Sequence, residues 1–148
     1  MNFLAHFALS YPDRELMAGN FIADFLGKKE QDRLDQVLVP GLEMHRWIDR
    51  YTDTHARIRD INVFFRPVIG HYAPVATDIV MDHLLYCNWE RYMSVGFEEF
   101  RAYAYAALSD FEHLFPERPR LISRRMVEGD WLSQYATVEG LTQVMDRM

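Results

Sequence analysis

The sequence predicts an all-α fold, in which residues 1–148 form a single helical domain. Apolar side chains recur at helical spacing through most of the chain, whereas the strict alternation typical of strands is absent. A length of 148 residues is typical of one domain and sufficient for a hydrophobic core. Hydrophobic residues make up 49% of the chain and aromatic residues 14%, which is typical of a compact globular protein rather than a disordered one.

Composition disfavours several classes of protein. The net charge of -6 argues against non-specific binding to nucleic acid. Cys87 is the only cysteine and has no internal partner for a disulfide, so we expect a reducing, cytoplasmic location. Residues 1–10 lack the basic segment of a signal peptide, and no apolar run approaches the length of a membrane span.

The N-terminal segment leads from an apolar stretch into a helix. Residues 1–10 are mostly apolar but contain His6, whose surroundings favour a hydrogen-bonded core histidine over a metal ligand. A turn follows, and Asp13 is suited to cap the helix that the periodicity predicts over residues 14–26. Gly27 has the position and identity of a residue that ends a helix.

The interior of this predicted helix carries a glycine and two polar residues on one side. Gly19 costs about 1 kcal/mol relative to alanine, so we expect another backbone or a ligand to approach closely there. Asn20 and Asp24 stand one helical turn apart and share a face. We expect Asp24 to be buried and paired; the alternative is an exposed residue near the end of the helix. Residues 28–36 are polar and predict a loop.

The stretch from residue 41 to residue 55, GLEMHRWIDRYTDTH, is the centre of the candidate site. As a helix that opens at Pro40, it places His45, Asp49 and Asp53 at i, i+4 and i+8, along one face. Such a polar stripe suits a pocket for a divalent cation. The alternative is a solvated surface whose charges form local ion pairs. The large apolar residues on the neighbouring faces are expected to supply the packing side, and they are Met44, Trp47, Ile48 and Tyr51.

A second polar stripe follows farther along the chain. An apolar helical stripe first continues from the central helix as far as Pro67. The next helix, residues 75–92, is apolar over most of its surface and is therefore expected to be buried. Its acids, Asp78 and Asp82 at i and i+4 with His83 beside them, should then face other polar groups inside the fold.

The C-terminal third is interpreted mainly as structural. Residues 97–115 predict an amphipathic helix, and residues 121–128 and 138–148 predict two more. Four arginines lie close together in the sequence after residue 115, namely Arg118, Arg120, Arg124 and Arg125. They either form a patch that contacts an anionic partner or are ordinary surface residues.

Taken together, three helices carry acids, amides or histidines one turn apart. Helix bundles build metal sites in this way, from inward side chains on facing helices. Mixed imidazole and carboxylate ligands suit Mn²⁺, Fe²⁺, Mg²⁺ or Zn²⁺, whereas the sequence contains neither a CxxC nor an HExxH motif. The alternative is that the polar stripes pair with one another structurally, without an ion.

Several segments in order resemble one enzyme family. MNFLAHFALS, AGNFIADFLGK, GLEMHRWIDRYTDTH and ATDIVMDHLLYCNW are similar to the acyl carrier protein phosphodiesterases, and WLSQYATVEGLTQVMDRM continues the similarity more weakly. The resemblance implies removal of 4′-phosphopantetheine from holo acyl carrier protein with the help of a divalent metal, typically Mn²⁺. It also implies a distant, HD-phosphohydrolase-like fold, although this chain has no adjacent His-Asp pair.

Length is a second difference from the family pattern. Members of this family continue for several helical turns beyond the position of Met148, so we expect either a chain truncated at the C-terminus or a short member.

The resemblance and the polar stripes together nominate the site. The expected metal ligands are Asp24, His45, Asp82 and His83, with His6 next. The residues expected to support these ligands or to orient the attacking water are Asp49, Asp53 and Asp78. Arg46 is expected to contact phosphate oxygens, since a guanidinium matches their geometry.

The expected partner is holo acyl carrier protein, which is acidic and should dock on a positive patch. We nominate Arg57, Arg59 and the arginines at positions 118 to 125. Two other functions stay open: a phosphohydrolase acting on a small nucleotide or another phosphoester, and a non-catalytic helical module that binds carrier protein. The oligomeric state is not predicted.

Overall fold

A computed structural model describes residues 3–146, and these contain helices but no strand, as predicted. The helices are α1 (Phe3–Ser10), α2 (Arg14–Ile22), α3 (Lys28–Gln31), α4 (Val39–Thr54), α5 (Ala56–Ile69), α6 (Ala73–Cys87), α7 (Trp89–Tyr92), α8 (Phe97–Phe111), α9 (Glu117–Glu128) and α10 (Val138–Met145). Short 3₁₀ segments connect several of them, namely Ala23–Phe25, Gln36–Leu38, Gly70–Tyr72, Glu112–Leu114 and Trp131–Ala136.

Predicted helix ends agree with the structure in several places. The side chain of Asp13 caps α2 by accepting a hydrogen bond from the backbone N–H of Leu16 at 3.0 Å. Pro40 lies in the first turn of α4, where its missing N–H costs nothing. The helix predicted up to Pro67 continues through that proline to Ile69, so this boundary was set too early.

Two short helices were not predicted. The segment expected to be a loop contains α3. Gly27 is the N-cap of this helix, and the Glu30 carboxylate accepts a hydrogen bond from the Gly27 N–H at 2.8 Å. The apolar N-terminal stretch forms α1, whose eight residues are too few to give a clear periodic pattern.

The core lies where α1, α2, α6 and α8 meet. Its largest fully buried side chains belong to these helices and to the segments that follow them, and they include Phe7, Met17, Ile22, Ile79, Phe100, Leu108, Phe115 and Met126. Burial of aromatic and aliphatic surface supplies most of the driving force for folding. None of the described helices is long and apolar enough to cross a membrane.

Two glycines let α2 and α4 cross at backbone contact. A Cβ atom added to Gly19 would lie 2.2 Å from the carbonyl oxygen of Leu38, and one added to Gly41 would lie 2.6 Å from the backbone nitrogen of Asn20. This confirms the expectation of a close backbone approach at Gly19. The crossing brings the polar face of α2 directly against that of α4.

Helix α1 is held at its N-terminus by a buried carboxylate on α6. The two oxygens of Asp82 accept hydrogen bonds from the backbone N–H groups of Leu4 and Ala5, both at 2.9 Å. The buried side chain of Tyr135 lies beside this carboxylate, and burial together with Asp82 raises the pKa of the Tyr135 hydroxyl. The bonds to Asp82 satisfy N–H groups that an α-helix leaves unpaired at its start, and they fix the helix that carries His6.

Not every large apolar residue of α4 packs inside. Ile48 is buried, as expected for the packing side. Trp47 and Tyr51 are instead 64% and 56% exposed, with their rings stacked on each other at 5.6 Å. The expectation that these two rings supply core packing was therefore wrong, because that face of α4 points away from α2.

Candidate metal centre

Side chains from α1, α2 and α4 converge on one small volume. Ligand atoms of His6, His45 and Asp49 lie within 4.8 Å of one another, which is the spacing of groups that hold a metal ion together. The rings of the two histidines stack with their centroids 4.3 Å apart, and both residues are buried. Asn20 and Asp24, from α2 and the 3₁₀ turn after it, complete the cluster.

The orientation of the Asn20 amide is fixed by its nitrogen. Nδ2 donates to the hydroxyl oxygen of Ser10 at 2.9 Å and to the carbonyl oxygen of His6 at 3.3 Å. The Ser10 hydroxyl itself donates to the same carbonyl at 2.9 Å. Oδ1 of Asn20 must therefore face the opposite way, toward the two imidazole rings.

This amide oxygen determines which nitrogen of His6 and of His45 carries the proton. Oδ1 of Asn20 lies 2.7 Å from Nδ1 of His6 and 2.9 Å from Nδ1 of His45. Since an amide oxygen only accepts hydrogen bonds, we assign a proton to Nδ1 of each histidine. In the neutral rings, Nε2 then carries the lone pair, which is the form in which histidine binds a metal.

Both Nε2 atoms face carboxylates. Nε2 of His45 lies 3.0 Å from Oδ1 of Asp24 and 3.1 Å from Oδ2 of Asp49, and Nε2 of His6 lies 3.3 Å from Oδ1 of Asp49. A lone pair aimed at a carboxylate oxygen is repulsive unless a proton or a cation lies between them. The arrangement therefore favours positive charge at this point, supplied by imidazolium or by a metal ion.

The pKa values of the cluster follow from the same contacts. Burial disfavours imidazolium at His45, but the hydrogen bonds to Asp24 and Asp49 outweigh it and raise the pKa of His45 to about 9. Burial also opposes ionisation of the two acids, yet the contacts with His45 lower the pKa of Asp24, and those with both histidines hold the pKa of Asp49 well below its usual range.

Comparison with known proteins identifies the family of this chain. The family model described as acyl carrier protein phosphodiesterase matches residues 1–148. The chain belongs to this family. A relative named acyl carrier protein phosphodiesterase from Escherichia coli O6:H1 (strain CFT073) is 29% identical over 150 residues, covering 100% of this chain and 77% of the relative.

Other relatives carry the same name. The protein from Photorhabdus laumondii is 30% identical over 151 residues, covering 100% of this chain and 75% of the relative. The protein from Klebsiella pneumoniae subsp. pneumoniae is 29% identical over 149 residues, with coverage of 100% and 77%. No solved structure matches this chain, so the expected likeness to HD-type phosphohydrolases stays a prediction.

The other predicted site residues of this phosphodiesterase family member lie outside the group formed by His6, His45 and Asp49. Asp53 is exposed, one turn beyond Asp49 on α4, and partial desolvation of its carboxyl together with the charges of Asp49 and Asp78 raises the pKa of that group. Asp78 is half-buried on α6 and lines a surface groove. Arg46 is exposed, and its guanidinium donates to the side-chain oxygen of Gln31.

Two predicted metal ligands point elsewhere. Both oxygens of Asp82 are used by the N-terminus of α1, and complete burial raises the pKa of this carboxyl to about 8. The ring of His83 bonds the carbonyl oxygen of Tyr135 at 2.7 Å through Nδ1. The structure does not bring either residue to the His6–His45–Asp49 group, because their stripe on α6 meets α1 and the Trp131–Ala136 segment instead.

Asn20 is the member of the site that sequence reasoning missed. Its place in a polar stripe with Asp24 was visible, but it was not assigned a role in orienting the metal ligands. The available signal was its place beside Gly19 on the face of α2 that carries Asp24. A residue next to a close helix crossing is well placed to contact the facing helix.

Proposed function

We propose that this protein hydrolyses the phosphodiester bond that joins 4′-phosphopantetheine to holo acyl carrier protein. Family membership and the names of its relatives support this reaction. The observation that carries the proposal is the convergence of two Nε2 lone pairs and two carboxylates on one point. That arrangement provides what a phosphodiesterase needs beside a substrate phosphate, namely a place for concentrated positive charge.

The donor set fits a divalent ion. We assign His6, His45 and Asp49 as its ligands, with Asp24 close enough to join them, and we leave Asp82 and His83 outside this set. Nitrogen and carboxylate ligands suit Mn²⁺, our first choice, and also Mg²⁺, Fe²⁺ or Zn²⁺. An ion bound there supplies Lewis acidity to a phosphoryl oxygen and to a water molecule.

The other residues act on the substrate and on the attacking water. Asp24 is about one third exposed and therefore reaches both the cluster and solvent, so we assign it to accept a proton from the water. Arg46 lies on the exposed side of α4 and is assigned to the phosphate oxygens. The charges of Asp49 and Asp78 both act on Asp53, so these carboxylates place negative charge beside the cluster, which favours cation binding there. The new bond joins water oxygen to phosphorus, and the bond between phosphorus and the carrier serine oxygen breaks.

A surface for the acidic carrier protein is available on α5. Arg57 and Arg59 are exposed there, and Phe64 and Val68 of the same helix are 77% and 83% exposed. Exposed apolar groups beside cations suit a partner with an acidic, partly apolar docking face. Arg124 of the other predicted patch already pairs with Glu112, so we rank α5 first.

The mass of holo acyl carrier protein tests the reaction directly. Incubation with this protein and Mn²⁺ should remove the mass of phosphopantetheine, and a chelator should prevent the loss. Asp24→Ala should abolish turnover and leave helical content unchanged, whereas Asp32→Ala, an exposed acid outside the cluster, serves as the matched control. Retained turnover in Asp24→Ala would remove Asp24 from the site.

The rival functions predict different results in the same assay. Unchanged carrier protein, with metal uptake intact, would favour a phosphohydrolase of a small nucleotide or another phosphoester. Unchanged carrier protein without metal uptake would favour a non-catalytic module.

Charge reversal at Arg57 and Arg59 should raise KM for carrier protein at low salt by about tenfold, since rim charges steer association. Kinetics insensitive to salt would argue against the α5 surface. A cytoplasmic location stays a prediction.

A further inference from the structure

Two aromatic rings stack on the exposed side of α4. Trp47 and Tyr51 stand one helical turn apart, and both are more than half exposed. Their rings are nearly parallel, with 13° between the planes and 5.6 Å between the centroids. Because each ring supports the other, little side-chain freedom is lost when a partner covers them. Trp and Tyr are enriched among the residues that dominate the binding energy of protein interfaces.

An exposed arginine lies between this ring pair and the metal centre. Each residue advances about 100° around a helix, so Arg50 lies midway between Asp49 on one side and Tyr51 on the other. Arg46 occupies the same side of α4 one turn earlier and is also exposed. We call the four exposed residues of this side the α4 strip, namely Arg46, Trp47, Arg50 and Tyr51.

The metal centre opens to solvent beside the α4 strip. The side chain of Asp49 is nearly half exposed and that of Asp24 about one third exposed, whereas both histidines are buried. A substrate phosphate therefore approaches past these two carboxylates. In the proposed reaction the phosphorus is bonded directly to a serine oxygen of the carrier protein, and a serine side chain is short. The carrier surface around that serine must then lie against the exposed residues next to Asp49.

One partner face can cover the mouth of the metal centre and the ring pair together. An α-helix with its side chains measures about 10–12 Å across. A specific interface buries about 800 Å² on each partner, which extends well beyond the width of one helix. A protein seated over Arg50 would therefore reach Asp49 on one side and the ring pair on the other.

We infer that the carrier protein docks on the α4 strip, with Arg50 contacting acidic side chains next to the modified serine and the Trp47–Tyr51 pair packing against apolar side chains. The charge of the strip fits this occupant, since its two arginines are exposed and Glu43, an exposed acid, lies one turn before Trp47. The strip also continues toward the α5 surface, because the ring of Tyr51 lies 5.8 Å from that of His55 at the start of α5. This inference rests on the proposed function and adds the residues that hold the carrier protein at the metal centre.

The dipeptide Arg-Tyr occurs at a second exposed position and provides matched controls. Arg50 and Tyr51 belong to the α4 strip, whereas Arg91 and Tyr92 lie on α7. We expect Tyr51→Ala to raise KM for holo carrier protein and Kd for apo carrier protein by about tenfold, because an aromatic anchor is lost. Arg50→Ala should raise both by about fivefold at low salt and by less at high salt, since salt screens an exposed charge. Arg91→Ala and Tyr92→Ala should behave as wild type.

Apo carrier protein lacks the phosphodiester bond, so its binding is measured apart from hydrolysis. Far-UV circular dichroism should be unchanged in both strip variants, because the replaced side chains are exposed. Weaker binding of carrier protein in both strip variants, with wild-type binding in the two controls, would support the inference.

The opposite results separate the docking surface from the reaction. Hydrolysis of holo carrier protein with unchanged KM in both strip variants would overturn the inference and leave the proposed function standing. Self-association of wild type that is lost in Tyr51→Ala, with KM unchanged, would also overturn it and assign the ring pair to contact between two copies of this chain. Failure of wild type to hydrolyse holo carrier protein, with metal bound and with apo carrier binding dependent on the strip, would count against the proposed function and support the docking surface.

Discussion

Removal of the Asn20 side-chain oxygen should weaken metal binding without a change at any metal ligand. Asn20→Leu keeps the approximate volume of the residue but eliminates the acceptor shared by the Nδ1 atoms of His6 and His45, at 2.7 and 2.9 Å. Each ring is then free to carry its proton on Nε2, where it blocks coordination. At about 1 kcal/mol for each bond, the loss is about 2 kcal/mol, or roughly 30-fold in affinity. Partners of ligand histidines elsewhere contribute 10–100-fold.

Calorimetric titration with Mn²⁺ at neutral pH measures the affinity, and nitrogen NMR shifts of the imidazoles in metal-free protein, at a pH above the pKa of His45 where that ring is neutral, report the tautomer. Asn62→Leu is the matched control, because Asn62 also accepts a side-chain hydrogen bond, from Thr77 at 2.6 Å, away from the site. We expect mixed tautomers only in Asn20→Leu. Wild-type affinity in that variant, with both rings still protonated on Nδ1, would refute the assignment of Asn20 as the residue that orients the ligands.

Three further perturbations address pH, the hold on α1 and the helix crossing. In metal-free protein, the pKa of His45 is raised from 6.5 to about 9, so protonated His45 stabilises the fold fully below pH 6.5 and this stabilisation is lost as pH rises through 9. Between these pH values the free energy of unfolding should fall by at most about 3 kcal/mol. His45→Gln should abolish the part of this fall that is due to His45. Asp82→Ala leaves two buried N–H groups of α1 unpaired and should lower the free energy of unfolding by about 2–4 kcal/mol in urea titrations. Gly41→Ala places a methyl group 2.5 Å from a backbone oxygen of α2 and should lower both the melting temperature and the Mn²⁺ affinity, whereas Gly96→Ala, which has open space, should lower neither.

Helical periodicity predicted most of the fold because the long helices are amphipathic or apolar over many turns. The ends at Asp13 and Pro40 were predictable from local chemistry alone, since each satisfies or removes backbone N–H groups at a helix start. The passage of α5 through Pro67 was not predictable, because a proline near the last turn disturbs few hydrogen bonds.

For the site, spacing within one helix was more informative than the choice of neighbouring helix. The i, i+4 relation placed His45 and Asp49 together, and the structure has them 3.1 Å apart. The same relation on α6 gave no indication that Asp82 faces the backbone of α1 rather than the histidines. Which polar faces meet depends on helix packing, and packing is set by long-range contacts that a single sequence does not display.

The crossing of α2 and α4 makes the fold and the candidate metal centre interdependent. The backbones touch at Gly19 and Gly41, and the polar residues of the site begin at the very next position, Asn20. The side-chain oxygen of Asn20 accepts hydrogen bonds from His45 on α4 and from His6 on α1, so one atom of α2 connects three helices. An ion on the opposite side of the two rings would bind only the arrangement in which all three helices are in place. Metal binding should therefore stabilise the folded state, because the unfolded chain offers no such preformed set of ligands.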